Sequence, residues 1–272
     1  ILEALEKFAR RFNVRPDQLP LTTGMAAVQD VENHLGYKFP GLGGLAASMS
    51  EMGSYGGRTE ILRRGLFRRV YLYDISSSYP ARLEWLVPVG SPVFRCGVSK
   101  ADIVSALVTV PECEIPVLPL RHDSTRFFST GTFQGVWPGD ELRYALECGA
   151  KIEKLHSTVR FAKTVDLGDW VRKHYASREK NEDGTLKDPF GDLFSKLLIN
   201  GFAGKTAQTR TSNVLSYGKK KKRSDDLGSG YHRTELRARI PRFQNYAFYA
   251  VTLGRARVAL HELLVKAHRP IL

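Results

Sequence analysis

Hydrophobic positions along this chain recur with two periods, and each period predicts an element. Leu2, Leu5, Phe8, Ala9 and Phe12 fall at helical spacing, and Thr22 or Thr23 can cap a second helix that runs to about His34. Residues 39–58 are rich in glycine and read as a connection, where a subdomain boundary is expected. It leads into a short apolar strand, Val70–Tyr73, that closes on Asp74. A helical pattern from Ser78 to about Leu86 stops at Pro88, and the Val, Ile and Pro content of residues 87–120 predicts short strands and turns. A helix over about 139–148 and a strand over about 151–164 follow. Next come a helix with Trp170, Val171, His174 and Tyr175, the polar turn Asn181–Gly184, and a longer helix through about Ala203, which together imply an antiparallel pair. Residues 216–234, with the basic run Lys219–Arg223, lack periodicity and read as an exposed loop. The last element, from about Phe243 to Lys266, is a long helix holding one glycine, Gly254. No internal repeat is present.

Composition narrows the class of partner. At 272 residues with 42% hydrophobic content, the chain is long enough for one large domain or several subdomains with a true core. Its 41 Lys and Arg against 28 Asp and Glu give a net charge of +13, which favours a polyanion, nucleic acid first. Cys96, Cys113 and Cys148 are odd in number and have no C-x-x-C spacing, which suggests neither a disulfide framework nor a zinc site and fits a reducing, intracellular setting, cytoplasmic or organellar. No apolar run approaches the roughly 18 residues needed to span a bilayer. The chain opens at Ile1, as expected of a fragment or a processed piece. The G-x-x-x-x-G-K-[ST] loop of a P-loop ATPase is absent, and the dispersed basic residues do not suit a helix-turn-helix regulator.

Two stretches carry candidate chemistry. In Tyr71–Pro80 an acidic residue, Asp74, ends an apolar run and is followed at once by the polar turn Ser76, Ser77, Ser78, then Tyr79 and Pro80. Asp74 can cap the next helix, as most such residues do, or it can hold a metal-bound phosphate. In the second stretch Lys196 and Asn200 lie four apart on one helix face, so both can meet one ligand, with Gly204 and Lys205 one turn further on.

Together these stretches resemble the D-x-x-S-L-Y-P and K-x-x-x-N-S-x-Y-G motifs of B-family DNA polymerases, above all the protein-primed enzymes of phages and linear plasmids and their primer-independent relatives. The resemblance implies an α+β fold: a palm, an α-helical fingers hairpin, and an insertion between the first two polymerase motifs. It divides the chain into N-terminal helices (1–50) linking from an exonuclease-like region, palm (51–95), an insertion resembling the region that contacts a terminal protein (96–165), fingers (166–210), and a palm helix (211–272). It implies template-directed DNA synthesis with two Mg2+ or Mn2+ ions, DNA template and primer, dNTPs and a terminal priming protein as partners, and no membrane. Asp74 and the Ile75 carbonyl become metal ligands, Ser76–Ser78 face the triphosphate, and Tyr79 packs under the sugar and excludes a 2′-hydroxyl. Lys196, Asn200 and Arg178 bind the nucleotide, and Lys196 joins Asp74 in the catalytic set. Tyr55, Gly56, Gly57 and Arg58 resemble the Y-x-G-G segment that touches the template, although matching the glycines puts Ser54 at the motif's tyrosine. Gly204, Lys205 and Arg255 complete the DNA contacts.

The pattern also breaks. The third motif, Asp-Thr-Asp, is absent from these 272 residues, and one carboxylate cannot hold two ions. A following segment or a second polypeptide is then required, and the 272 residues by themselves are expected to be inactive. The other reading is a polymerase-like module that holds DNA or a priming protein without catalysis. Gly201 and Ala203 replace the fingers motif's serine and tyrosine, which predicts a smaller surface beside the nascent base pair.

Overall fold

The computed structural model describes residues 22–75, 78–123, 125–176, 185–208, 211–218, 224–226, 231–237 and 240–267, together with isolated positions at 6, 9, 10, 15, 20, 181 and 183. Of the helix expected over residues 2–12, only residues 6, 9 and 10 are described, and they are helical.

Helix α1, Thr23–Leu35, starts where the sequence places it: the Thr22 hydroxyl accepts the Met25 N–H at 3.3 Å. It ends on Gly36 at φ 73, a left-handed turn that glycine enters without a Cβ penalty, and whose N–H closes on the Glu32 carbonyl. Glu32 then holds this end in place. Its carboxylate accepts the Phe39 N–H at 3.0 Å and binds Lys38 and Arg242.

The glycine-rich connection holds a helix, α2 (Gly44–Met52), which the glycine content concealed. Ala46 and Met49 supply an apolar side, and both are buried. Beyond it the expected strand Val70–Tyr73 does not form. Those residues pair with no other strand among the described residues, and Leu72 and Tyr73 are 96% and 87% exposed. An extended segment is stabilised by a neighbour's backbone and by a buried face, and here it has neither. Helix α3 is also shorter than expected, Pro80–Leu83, because the Leu86 carbonyl is taken by Arg255 at 2.9 Å and Trp85 and Leu86 remain exposed.

Pro88 therefore stops no helix and instead enters strand β1 (Val87–Phe94). The central sheet is antiparallel in the order β1, β6 (Lys151–Val165), β2 (Ile103–Val110), β5 (Gly131–Pro138). Its edge position lets β1 tolerate Pro88 and Pro92, and the register slips between Val89 and Pro92, where Gly90 sits at φ 87. β2 and β5 pair without a break from Ile103↔Pro138 to Val110↔Gly131. Between them lies the hairpin β3 (Pro119–His122) and β4 (Thr125–Phe128), and after β5 comes helix α4 (Gly139–Glu147).

Strand alternation sends the sheet's side chains into two cores. Val104, Ala106, Val108 and Val110 join Trp137, Leu142 and Leu118 in one. Ile103, Val87, Val89, Val159 and Phe161 join the helices in the other: α1, α2, α5 (Gly168–Ala176), α6 (Pro189–Thr206) and α7 (Tyr246–Lys266). Phe202 is central there, edge-on to Phe39 at 5.1 Å, Phe248 at 5.3 Å and Trp170 at 5.7 Å. The α5–α6 pair is antiparallel as expected, since Trp170 meets Phe202 while His174 meets Ser195. The stretch expected as a loop, 216–234, contains strands instead: β7 (Thr211–Tyr217), β8 (Ser224–Asp226) and β9 (Tyr231–Arg237) form an antiparallel sheet in the order β7, β9, β8. Backbone pairing of this kind needs no apolar periodicity. Lys219–Arg223 lie outside the described residues.

Truncating Phe202 to alanine removes three edge-on ring contacts and should cost about 3–5 kcal/mol, read as a lower denaturant midpoint at unchanged slope. Acid should also weaken the fold through α1. Burial raises the carboxyls of Asp30 and Glu32, but hydrogen bonds from His174 and Trp170 to the first, and from Arg242 and Lys38 to the second, outweigh it and leave both below their ordinary values. Groups lowered on folding stabilise the fold fully above the ordinary carboxylate range and lose that contribution as pH falls through it. Melting followed from pH 7 to pH 3 should show this loss, and it should shrink in Glu32→Gln.

Candidate functional site

At the glycine turn after α2 the Tyr55–Arg58 segment meets Tyr79 of the Asp74 stretch. A Cβ on Gly57 would stand 2.5 Å from the Tyr79 hydroxyl, and one on Gly56, at φ 77, would collide with the Arg126 guanidinium. Only glycine lets Tyr79 and Arg126 approach this backbone. Tyr79 lies at the surface, so its ring edge is open to a ligand.

The side chains flanking the glycines, expected at the template, are buried in this structure. Tyr55 is 5% exposed, with the guanidiniums of Arg121 and Arg257 beside its ring at 5.3 and 5.8 Å, and burial pushes its phenol up. Arg58 is 7% exposed, pairs with Glu60, donates to the Pro116 carbonyl at 2.8 Å and lies 4.0 Å over Phe128. Both side chains are packed inside the fold. Arg255 is likewise engaged: its Nε donates to Asp140 at 2.6 Å and its Nη1 to the Leu86 carbonyl, with Trp85 5.7 Å away. It clamps α7 to the first turn of α4 and to the chain leaving α3. Burial raises the Asp140 carboxyl, but Arg255 and Arg143 outweigh this and hold it below its usual value.

Two residues on, Arg257 does the same work in the interior. Its Nε and Nη2 bind both oxygens of Glu141 at 2.6 and 2.5 Å, and Nη1 donates to the Gly56 carbonyl, so the glycine turn is tied to α4 through α7. Glu141 is fully buried, and burial raises its carboxyl against the pull of Arg257. Sequence reasoning passed over this pair. Its signal was present: two acids in the first turn of α4, and Arg255 and Arg257 two apart just after Gly254. That glycine is itself explained, because a Cβ there would stand 2.8 Å from Pro138.

Helix α6 separates an inner from an outer face. Phe194, Ser195, Leu198, Ile199, Phe202 and Ala203 are buried, whereas Lys196, Asn200 and Gly204 are exposed in one row. Lys196 has no carboxylate partner among the described residues. Asn200 donates its amide to the Lys196 carbonyl at 2.9 Å. Lys205 turns away from the row, its methylenes against Gly24 and its ammonium 5.9 Å from the Phe243 ring. Ala203 faces the core rather than the outer face, so it leaves no gap beside a ligand; Gly201 is the replaced position that opens outward. Asp74 is exposed and Ile75 half-buried, and Asp74 makes no ion pair among the described residues. Ser76, Ser77 and Arg178 lie outside the described residues; Ser78 begins the turn into α3.

This arrangement can be compared with known proteins. The sequence model of the family described as DNA polymerase type B, organellar and viral, matches residues 52–238, from the end of α2 through β9. The chain belongs to this family. A probable DNA polymerase of Agaricus bitorquis is 25% identical over 193 residues, which cover 65% of this chain and 24% of that one. Phi29 DNA polymerase in an orthorhombic crystal form superposes with a TM-score of 0.62 at 14% identity, over 90% of this chain and 46% of that one. Phi29 DNA polymerase complexed with primer-template DNA gives 0.61 at 15%, over 95% and 47%. The fold is thus the α+β fold of a B-family polymerase. The chain spans about a quarter of the Agaricus relative's length and just under half of the phi29 enzyme's.

Within this polymerase fold the Arg257–Glu141 pair sets the glycine turn, and breaking one side strands a buried charge. Glu141→Gln should destabilise by about 3–5 kcal/mol, whereas Asp140→Asn, at a half-exposed site, should cost less. Comparing the two melting curves checks the ranking.

Proposed function

We propose that this chain is the palm and fingers portion of a DNA polymerase that carries out template-directed DNA synthesis, with α5 and α6 as the fingers and the sheet of β1, β6, β2 and β5 built largely from the insertion. The observation that carries the reading is the family match across both motifs, 52–238. It is supported by the outward row of Lys196, Asn200 and Gly204. In that row Lys196 is a point charge for the triphosphate of an incoming dNTP, and Arg178 is the second cation. Tyr79, held against Gly57, limits the space at the sugar. The net charge of +13 supplies non-specific affinity for template and primer through counterion release. Residues 96–165 are assigned to contact with a terminal priming protein.

The family's chemistry implies a pair of Mg2+ or Mn2+ ions, and the residues present do not fit that pair. Among the described residues no three His, Cys, Asp or Glu side chains converge, and Asp74 with the Ile75 carbonyl is too small a donor set for two ions. The chain's own residues bind and orient nucleotide and DNA. The remaining carboxylates are assigned to a segment with the Asp-Thr-Asp motif, in cis or on another chain.

Asp74→Asn in the full-length protein should abolish primer extension and leave duplex affinity within about twofold, since the basic surface is untouched. Extension at the parent rate would remove Asp74 from the site. Tyr79→Val should raise ribonucleotide incorporation, measured as the ratio of kcat/KM for rNTP and dNTP. Lys196→Ala should raise the KM for dNTP by about tenfold or more while DNA affinity holds, the pattern of a group that binds the nucleotide in ground state and transition state alike.

A further inference from the structure

A buried polar cluster joins α1, α5 and α6 on the side of α6 away from Lys196. The Asp30 Oδ2 on α1 accepts two hydrogen bonds from α5, from Trp170 Nε1 at 2.7 Å and from His174 Nε2 at 2.7 Å. The other ring nitrogen of His174, Nδ1, lies 3.2 Å from the Ser195 hydroxyl on α6. His174 and Ser195 are 1% and 0% exposed. Carboxylate, imidazole and hydroxyl in a row resemble a hydrolase's nucleophilic triad, but no substrate reaches a hydroxyl buried this deeply. Another role must explain why three polar groups are carried into an apolar core, each at a desolvation cost that only full hydrogen bonding offsets.

We propose that Asp30 and His174 are positioning residues for nucleotide binding: through Ser195 they fix the rotation of α6, and so the direction in which Lys196 points. The inference rests on the reading of Lys196 as a nucleotide-binding cation. Ser195 and Lys196 are adjacent, and about 100° apart around the helix axis. The rest of the buried face, Phe194, Leu198, Ile199 and Phe202, makes apolar contacts that resist separation but hardly resist small rotations, because dispersion and hydrophobic burial are non-directional. The hydrogen bond between Ser195 and His174 is directional. Asp30 keeps its charge because the bonds from His174 and Trp170 outweigh its burial, so Nε2 of His174 must carry the proton between them. This fixes the ring's plane, and with it the place of Nδ1. Both fingers helices are thereby referred to α1, which the Glu32 contacts with Phe39 and Arg242 hold to the rest of the core.

The test is a double-mutant cycle on dNTP kinetics and primer-template affinity in the full-length protein. His174→Ala should raise the KM for dNTP about tenfold with kcat within about threefold, the split expected when a binding group is misplaced and the chemistry is intact. In a Lys196→Ala background the same change should add no further rise, because the group it positions is gone. His174→Gln, whose amide can still donate to Asp30, should fold as the parent does and recover most of the loss. Equal effects of His174→Ala with and without Lys196, or a fall in DNA affinity in step with KM, overturn the inference alone. If His174→Ala does not fold, Asp30→Asn carries the same cycle, with the same rise in KM expected, and a parent KM in Asp30→Asn overturns the inference. A parent KM in Lys196→Ala by itself removes the underlying reading of Lys196, and the inference with it.

Discussion

Helix α7 is the constraint on which the rest of the structure depends. Its first half carries Ala247, Phe248, Ala250 and Val251 into the core shared by α1, α2, α5 and α6, and its second half sends Arg257 and His261 into the neighbouring unit. His261 there meets the Tyr144 hydroxyl at 2.9 Å and the Ile115 carbonyl at 2.8 Å. One rigid rod of 21 residues therefore spans both cores. The arginine at its centre, Arg257, fastens the glycine turn, and Arg255, two residues earlier, fastens the exit from α3. Removing either tie frees a segment that carries motif residues, which is why the cationic side chains on this helix act inwardly.

That use of charge divides the basic residues into two populations. Arg58, Arg255 and Arg257 are bound by carboxylates and carbonyls inside the fold and have little left to offer a phosphate. Among the described residues Lys196 meets no carboxylate, and it lies on an outer helical face backed by a buried apolar surface that keeps it outward. The net charge of the chain cannot distinguish these cases. A guanidinium with five donors suits the interior role, since it satisfies a carboxylate and a carbonyl at once, whereas a single ammonium suits an exchangeable anion.

The glycines at 56 and 57 show how a motif encodes an approach rather than a contact. Their value lies in the absent Cβ atoms, which admit Arg126 from one side and Tyr79 from the other. The side chains before and after them are buried because the same turn must be anchored in the core. The segment with Asp74, in contrast, lies exposed with its apolar residues uncovered, and the described residues place no strand beside it.

Most of the helices were legible in the sequence, because a helix is stabilised within itself and against one apolar stripe. The cap at Thr22, the periodicity of residues 168–206 and the long unbroken run to Lys266 were sufficient. The family motifs were legible for a related reason: they are short, local patterns of residue type. Strands were less so. Val70–Tyr73 has the composition of a strand yet pairs with nothing among the described residues, while 211–237 lacks the periodicity yet pairs along β7, β9 and β8. A strand's existence depends on a partner distant in the chain, which no local pattern records. For the same reason only the tertiary structure decided which charged side chains face inward. Glu141 finds Arg257 and Asp30 finds His174 across more than a hundred residues, and the low dielectric of the core makes such pairing obligatory once the fold has brought them together.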